Sequence, residues 1–467
     1  MKILYYNWIQ FDNVGNKGGG VTVYQKNIID KLMDDNEIYF ISSGRDYRGD
    51  LADTFIEKTT NVFGDKCKSY VIVNSPILAT GDYLNQADLR TYLNDMELYE
   101  LLRCFIEEQG GFDVIHFNNF EGLSLNVFKL KEDYPETKFV YSLHNYYMFC
   151  TQVNLWKDGK ENCLGYDNGK NCANCHLRGV HSDKIKKKIG LNYEKSNAKS
   201  DVEITRIQEL LKRTDAQYDG IEVDESSEEF VMFRSKNVEY LNKYVDIILA
   251  VSERTGKIAI DMGVDAYKVQ TSYIGTKFAD RQIGHGKNTY KDGQLFTMVY
   301  MGYMRREKGF YFFLEACEKM SDDLAAKCRV VFASRFTDEA AVERMAKLRG
   351  KFGDIVVYDG YTHDNIDEIL SDVHLGVVPV LWEDNLPQVA IEMVSLGIPI
   401  MTSNLGGAQE LCVLPEFVFE AGNIGNFIDK LEGIVKNSSL LEAFWKNGVK
   451  LTTMDEHIKQ LCEVYRN

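Results

Sequence analysis

Short apolar runs alternate with helically spaced apolar residues along most of this chain. Residues 3–7 predict a strand, residues 16–20 a glycine turn, and residues 21–33 a helix with Val21, Tyr24, Ile28, Ile29 and Leu32 on one face. Further strands are predicted at 38–42, 71–73, 113–117, 139–144 and 245–252, mostly with helical stretches between them. This alternation predicts a parallel sheet with crossover helices. The pattern degrades from about 150 to 235, a polar, Lys-, Asn- and Glu-rich segment that reads as an insertion. Residues 278–293 are polar and glycine-containing and read as a linker. The alternation then restarts, with strands at 296–301, 329–333, 355–358, 375–380, 398–402 and 417–419, helices at 311–320 and 339–352, and a helical tail at 440–467. The expected architecture is α/β, with two doubly wound Rossmann-like units joined by a linker. In open sheets of this kind ligands sit at the carboxyl ends of the strands, so residues just after strands carry the interest.

Length and charge narrow the function. At 467 residues the chain exceeds one ordinary core. Its net charge of −16, from 70 acids and 54 bases spread along the chain, argues against nucleic acid as a partner. Residues 1–6 begin a strand rather than a signal peptide, and the run 247–251 is far short of a membrane span, so a cytosolic, soluble protein is expected. The basic run 184–188 could touch anionic lipid, although a solvated charge run is the commoner meaning.

Five clusters carry candidate chemistry. Gly18-Gly19-Gly20 lies between a strand and a helix, where glycines let the backbone approach a ligand and the helix start favours an anion, although a tight packing turn gives the same pattern. Gly302 to Gly309 follows the 296–301 strand and holds Arg305, Arg306 and Lys308, a set suited to a diphosphate or simply a solvated basic turn. Residues 384–407 contain Asp384 and Glu392, eight positions apart, and two of the six prolines, Pro387 and Pro399. Pro387 places a loop-to-helix transition near it, so backbone N–H groups around Asn385, Leu386 and Gln388 should be available to sugar hydroxyls. Glu392, one turn into that helix, could accept from a ribose diol. The plainer alternatives are a helix cap for Asp384 and a surface acid for Glu392. His144 ends the 139–144 strand and faces the expected cleft, with His116 on a neighbouring strand as its competitor. Last, Cys150, Cys163, Cys172 and Cys175 fall within 26 residues, and the last two form a CxxC. Such a set suits structural zinc, with His176 able to replace one thiol; an iron–sulfur cluster and reduced thiols are the alternatives.

Taken together these motifs resemble the family 4 retaining glycosyltransferases of the GT-B architecture, over almost the whole chain. The matching residues are Gly18-Gly19-Gly20, Ser142-Leu143-His144-Asn145, the loop from Gly302 to Gly309, Asp384 with Glu392, and Gly406-Gly407-Ala408-Gln409-Glu410. A subset of that family also carries a cysteine-bearing segment after the histidine. Tyr303 stands where the family usually has arginine, and Asp384 where it has glutamate, with Glu383 alongside as a second candidate.

The resemblance implies an acceptor-side domain at 1–275, with the insertion at about 150–235. It implies a nucleotide-sugar domain at 294–440 and a tail at 441–467 packing back on the first domain. It further implies transfer of a sugar, with retention, from a nucleotide-sugar to an acceptor hydroxyl, UDP being favoured over GDP and no catalytic metal being needed. Lys308, Arg305 and Arg306 would face the diphosphate. Glu392 would hold the ribose, Asp384 and His144 the donor sugar, and Gly19 and Gly20 would approach phosphate or acceptor. A glycan or lipid-linked acceptor of a bacterial surface polymer is the expected partner. A sugar-nucleotide epimerase and a non-catalytic sugar-nucleotide-binding zinc scaffold are the rival readings.

Overall fold

The computed structural model describes every residue except 13–18, 47, 49–52, 78, 80–85, 158, 178–227, 282–283, 292, 363, 447–448 and 450. Gly18 and the basic run 184–188 lie outside the described residues, as does most of the segment read as an insertion.

The first unit comprises β1 (Lys2–Tyr6), β2 (Glu37–Asp46), β3 (Phe55–Thr59), β4 (Cys67–Val73), β5 (Val114–Phe117), β6 (Lys138–Leu143), the small hairpin β7 (Trp156–Lys157) and β8 (Glu161–Asn162), then β9 (Ile247–Ala250) and β10 (Val269–Thr271). All but the hairpin form one sheet in the order β10-β9-β6-β5-β1-β2-β4-β3. The second unit comprises β11 (Phe296–Met301), β12 (Cys328–Ser334), β13 (Asp354–Asp359), β14 (Leu375–Val378), β15 (Ile400–Ser403) and β16 (Val418–Phe419), in the order β13-β12-β11-β14-β15-β16. Relabelled by sequence this is 3-2-1-4-5-6, the doubly wound dinucleotide-fold order.

Burial explains why these runs read as continuously apolar. β5, β11, β14 and β15 are buried at every position, because helices cover both faces of a parallel sheet. β3 departs from the expected parallel sheet. It pairs antiparallel with β4 and carries solvent-facing Glu57 and Lys58, which blunt that edge.

The tail, read as one helical stretch, is two helices. Ser439–Lys446 packs on the second unit, where Phe444 lies 5.0 Å from Phe417. Met454–Arg466 starts at a reciprocal cap: Thr453 accepts from the Glu456 N–H and Glu456 accepts from the Thr453 N–H. This last helix lies on the first unit. Its Tyr465 hydroxyl is 3.0 Å from that of Tyr5 and 2.7 Å from His116 Nδ1, and its His457 Nε2 is 2.8 Å from the Tyr24 hydroxyl. Among the described residues no helix is long and apolar enough to cross a membrane.

Candidate functional site

In the second sheet the direction of winding reverses between β11 and β14, which are hydrogen-bonded neighbours. In open sheets of this kind the ligand site lies at such a reversal, outside the carboxyl ends of the strands. After β11 the chain turns at Gly309, which has φ +77, and a Cβ at that position would lie 1.7 Å from the Pro379 carbonyl oxygen. Only glycine permits this approach. The adjacent Lys308 Nζ reaches Asp384 Oδ2 at 2.6 Å and lies 5.0 Å from the Trp382 ring centre. The pair is largely shielded, with side-chain exposures of 29% and 8%. Arg305 and Arg306 are exposed at the rim: Arg305 is 3.7 Å from Glu307 and stacks over Tyr303, while Arg306 stacks over Tyr311. Gly302 continues the ladder by donating to the Ala333 carbonyl at 3.1 Å.

The two adjacent acids point to different partners. Asp384 faces Lys308, whereas Glu383 is gripped by the Arg254 guanidinium, with Nε 2.9 Å from Oε2 and Nη2 on Oε1, and also accepts from the Gly406 N–H at 2.9 Å. Gly407 donates to the Asp384 carbonyl at 2.8 Å, and a Cβ on Gly406 would come within 2.2 Å of that oxygen. The glycine pair therefore lets the loop after β15 lie backbone-to-backbone against the acidic loop. Asp384 is not a helix cap, since the N-cap of Gln388–Ser395 is Pro387 and has no side-chain cap bond. Glu392 sits one turn inside that helix at 5% exposure, so it is not a surface acid. Tyr361 is close by, its hydroxyl pKa raised by burial and by the Glu392 charge. The N–H groups of Asn385 and Leu386 have no acceptor among the described residues. Both side chains are buried; that of Asn385 donates to the Leu143 carbonyl, and Gln388 donates to the Gly20 carbonyl at 2.9 Å.

On the facing unit His144 follows β6, half-buried, with Nε2 3.2 Å from Asn118 Oδ1. Burial, with His457 nearby, pushes its pKa down to about 3, so the ring is neutral at physiological pH. With Nε2–H given to Asn118 Oδ1, Nδ1 is left as an acceptor. His116, its competitor, is fully buried, with its two nitrogens on Tyr465 and Ser142, and belongs to the core. Gly20 lies against the Gln388 amide, while nothing among the described residues stands within 4 Å of where a Gly19 Cβ would be.

Three residues that the sequence reading did not single out as site residues join the units. Ser252 caps the helix Glu253–Asp261 and donates to the Asn385 carbonyl at 2.7 Å. Arg254 holds Glu383, and Glu410 accepts from the Glu253 and Arg254 N–H groups at 3.0 and 2.7 Å and from the Tyr273 hydroxyl at 2.8 Å. Ser252 carried a legible signal, a cap residue between an apolar run and a helix; a lone arginine carries none.

Cys150, Cys163, Cys172 and Cys175 line one cavity together with Arg234 and Trp156. None of the four cysteines is in a disulfide. Among the described residues, no three His, Cys, Asp or Glu side chains are placed to hold a metal ion. The His176 side chain lies outside the described residues.

Residues 296–437 match the family model described as Glycosyl transferases group 1. No curated protein matches the sequence. Several solved structures share the fold over the full length. Anabaena Alr3699/HepE in complex with UDP is 13% identical with a TM-score of 0.57, covering 100% of both chains. Sucrose-phosphate synthase from Thermosynechococcus elongatus is 14% identical with a TM-score of 0.58, covering 100% of this chain and 98% of that one. The UDP-forming α,α-trehalose-phosphate synthase from Burkholderia vietnamiensis is 11% identical with a TM-score of 0.58, covering 100% and 99%. The chain therefore has the GT-B fold, two Rossmann-like units facing each other, and its second unit matches Glycosyl transferases group 1.

Proposed function

We propose that the chain is a retaining glycosyltransferase that moves a hexosyl group from a nucleotide-sugar to an acceptor hydroxyl. The observation that supports this reading is the Lys308–Asp384 pair between the loops that follow β11 and β14 at the winding reversal, with Glu392 in the helix that comes next; a nucleotide diphosphate would sit at that reversal. UDP is favoured over GDP because the similar Anabaena protein is solved with UDP and, separately, with UDP-glucose.

In this reading the bond from the anomeric carbon to the diphosphate oxygen breaks as the acceptor oxygen bonds to that carbon on the same face. The acceptor proton passes to the departing diphosphate, so no protein base is required. Lys308, with Arg305 and Arg306 at the rim, offsets the charge that develops on the leaving group. Glu392 accepts from the ribose hydroxyls. Asp384, the Asn385 and Leu386 N–H groups and the Gln388 loop position the donor sugar, and His144 accepts a hydroxyl through Nδ1. Gly302, Gly19 and Gly20 allow close backbone approach. Because His144 stays neutral, its titration should leave no inflection in the rate between about pH 5 and 8. Closure of the two units excludes water, the competing acceptor. A glycan or lipid-linked acceptor in bacterial surface-polymer synthesis, met in the cytoplasm or at the inner membrane face, completes the proposal.

The deciding measurement is calorimetric titration of UDP. Glu392→Gln should weaken binding about tenfold without any acceptor present, the scale of one charge-assisted hydrogen bond. Unchanged affinity would remove Glu392 from ribose recognition. A structural zinc on Cys150, Cys163, Cys172 and Cys175 is a separate part of the proposal, supported by their shared cavity. Metal analysis of the purified chain should find about one zinc per chain; four freely titratable thiols and no metal would discard it.

A further inference from the structure

We infer that Arg254, on the first unit, is a positioning residue for the donor loop of the second, acting with Glu410 as a clamp that assembles the site only when the units are together. This inference rests on the donor-site reading above. Three contacts from one short stretch of the first unit reach the acidic loop and the loop after β15. Ser252 holds the Asn385 carbonyl, Arg254 holds both oxygens of the Glu383 carboxylate, and the N–H groups of Glu253 and Arg254 hold Glu410. Glu383 passes the constraint on by accepting from Gly406, whose neighbour Gly407 is bonded to the Asp384 carbonyl. Asp384 in turn holds Lys308.

The chemistry of each link is suited to transmitting position. A guanidinium fork on a carboxylate fixes orientation as well as distance, which an ammonium cannot do. Glu383 is 6% exposed, so its charge has little water to fall back on once Arg254 withdraws. Glu410 meets the positive end of the helix Glu253–Asp261 through two amide donors, a contact available only while the second unit faces that helix end. Separating the units would break all of these contacts together and free the loop that carries Asp384.

Two variants of the full chain test this by hydrogen exchange without ligand. Arg254→Ala should speed exchange at the hydrogen-bonded amides of Asp384, Gly406 and Gly407 at least about tenfold while the two sheets keep wild-type protection. The double variant Arg254→Ala/Glu383→Gln removes the stranded charge. If it restores wild-type exchange, the loosening came from a buried unpaired carboxylate and the clamp is overturned; continued loosening supports it. Unchanged exchange in Arg254→Ala overturns it outright.

UDP titration of the same proteins gives the second arm. A loss of about tenfold in Arg254→Ala, partly recovered by added methylguanidinium and less by Arg254→Lys, supports positioning. UDP affinity equal to wild type in Arg254→Ala overturns it. If the wild-type chain fails to bind UDP while exchange responds as expected, the UDP reading fails and the clamp stands.

Discussion

Lys308→Ala should lower turnover by about two to three orders of magnitude, the scale seen when one preorganised charge-stabilising donor is removed. The side chain is not a loose surface lysine: it is 29% exposed, held at 2.6 Å by Asp384, and lies over Trp382. Its ammonium is therefore in place before a donor arrives and needs little reorganisation when negative charge develops. The substitution also strands Asp384 at 8% exposure, so some loss of stability accompanies the loss of rate. The double variant Lys308→Ala/Asp384→Asn separates the two effects. It should recover most of the melting temperature and none of the turnover. Initial rates with UDP-glucose, with thermal melts alongside, check this. A Lys308→Ala enzyme with wild-type kcat would end the phosphate-clamp role.

The second large effect is expected at a position with no functional group. Gly309→Ala combines a left-handed backbone, φ +77, with a Cβ placed 1.7 Å from the Pro379 carbonyl oxygen. The first component costs about 1–2 kcal/mol. The second forces the loops after β11 and β14 apart, since neither partner is a flexible side-chain end. We expect a total of at least about 4 kcal/mol, which marks an exceptional single substitution. Spreading those loops also draws Lys308 away from Asp384, so activity should fall with stability. Gly19→Ala is the control: it shares a positive φ of +59 but meets nothing within 4 Å among the described residues, and should cost only about 1–2 kcal/mol. Melting temperatures of the two variants should differ clearly; equal values would refute the close-approach account.

Where local pattern decides structure, the sequence was legible. β11 lies at residues 296–301 as read, and the other predicted strands were placed to within a few residues, because a parallel strand buried on both faces must be apolar throughout. Pro387 marked the helix start for the same kind of local reason. The misses share a cause. β3 is short, half-exposed and antiparallel, so it lacks the apolar run that announces a central strand. The tail was read as one helix because its two amphipathic segments are similar, although Thr453 and Glu456 spell a start signal within it.

The same division runs through the site. Candidate cations, acids and glycines could be found from residue type and position after strands. Which acid faces the lysine could not, because Glu383 and Asp384 are adjacent and the choice is made by Arg254, 129 residues away. Likewise His116 and His144 both lie at strand ends, and only the return of Tyr465 commits His116 to the core.

The chain by itself determined the two doubly wound units, the loops that carry charge and the glycines those loops need, because hydrophobic period and backbone freedom are local properties. The tertiary structure alone decided that Lys308 meets Asp384, that Glu383 belongs to Arg254, and that the four cysteines share a cavity. Those outcomes depend on distances between residues far apart in sequence, which no local pattern encodes.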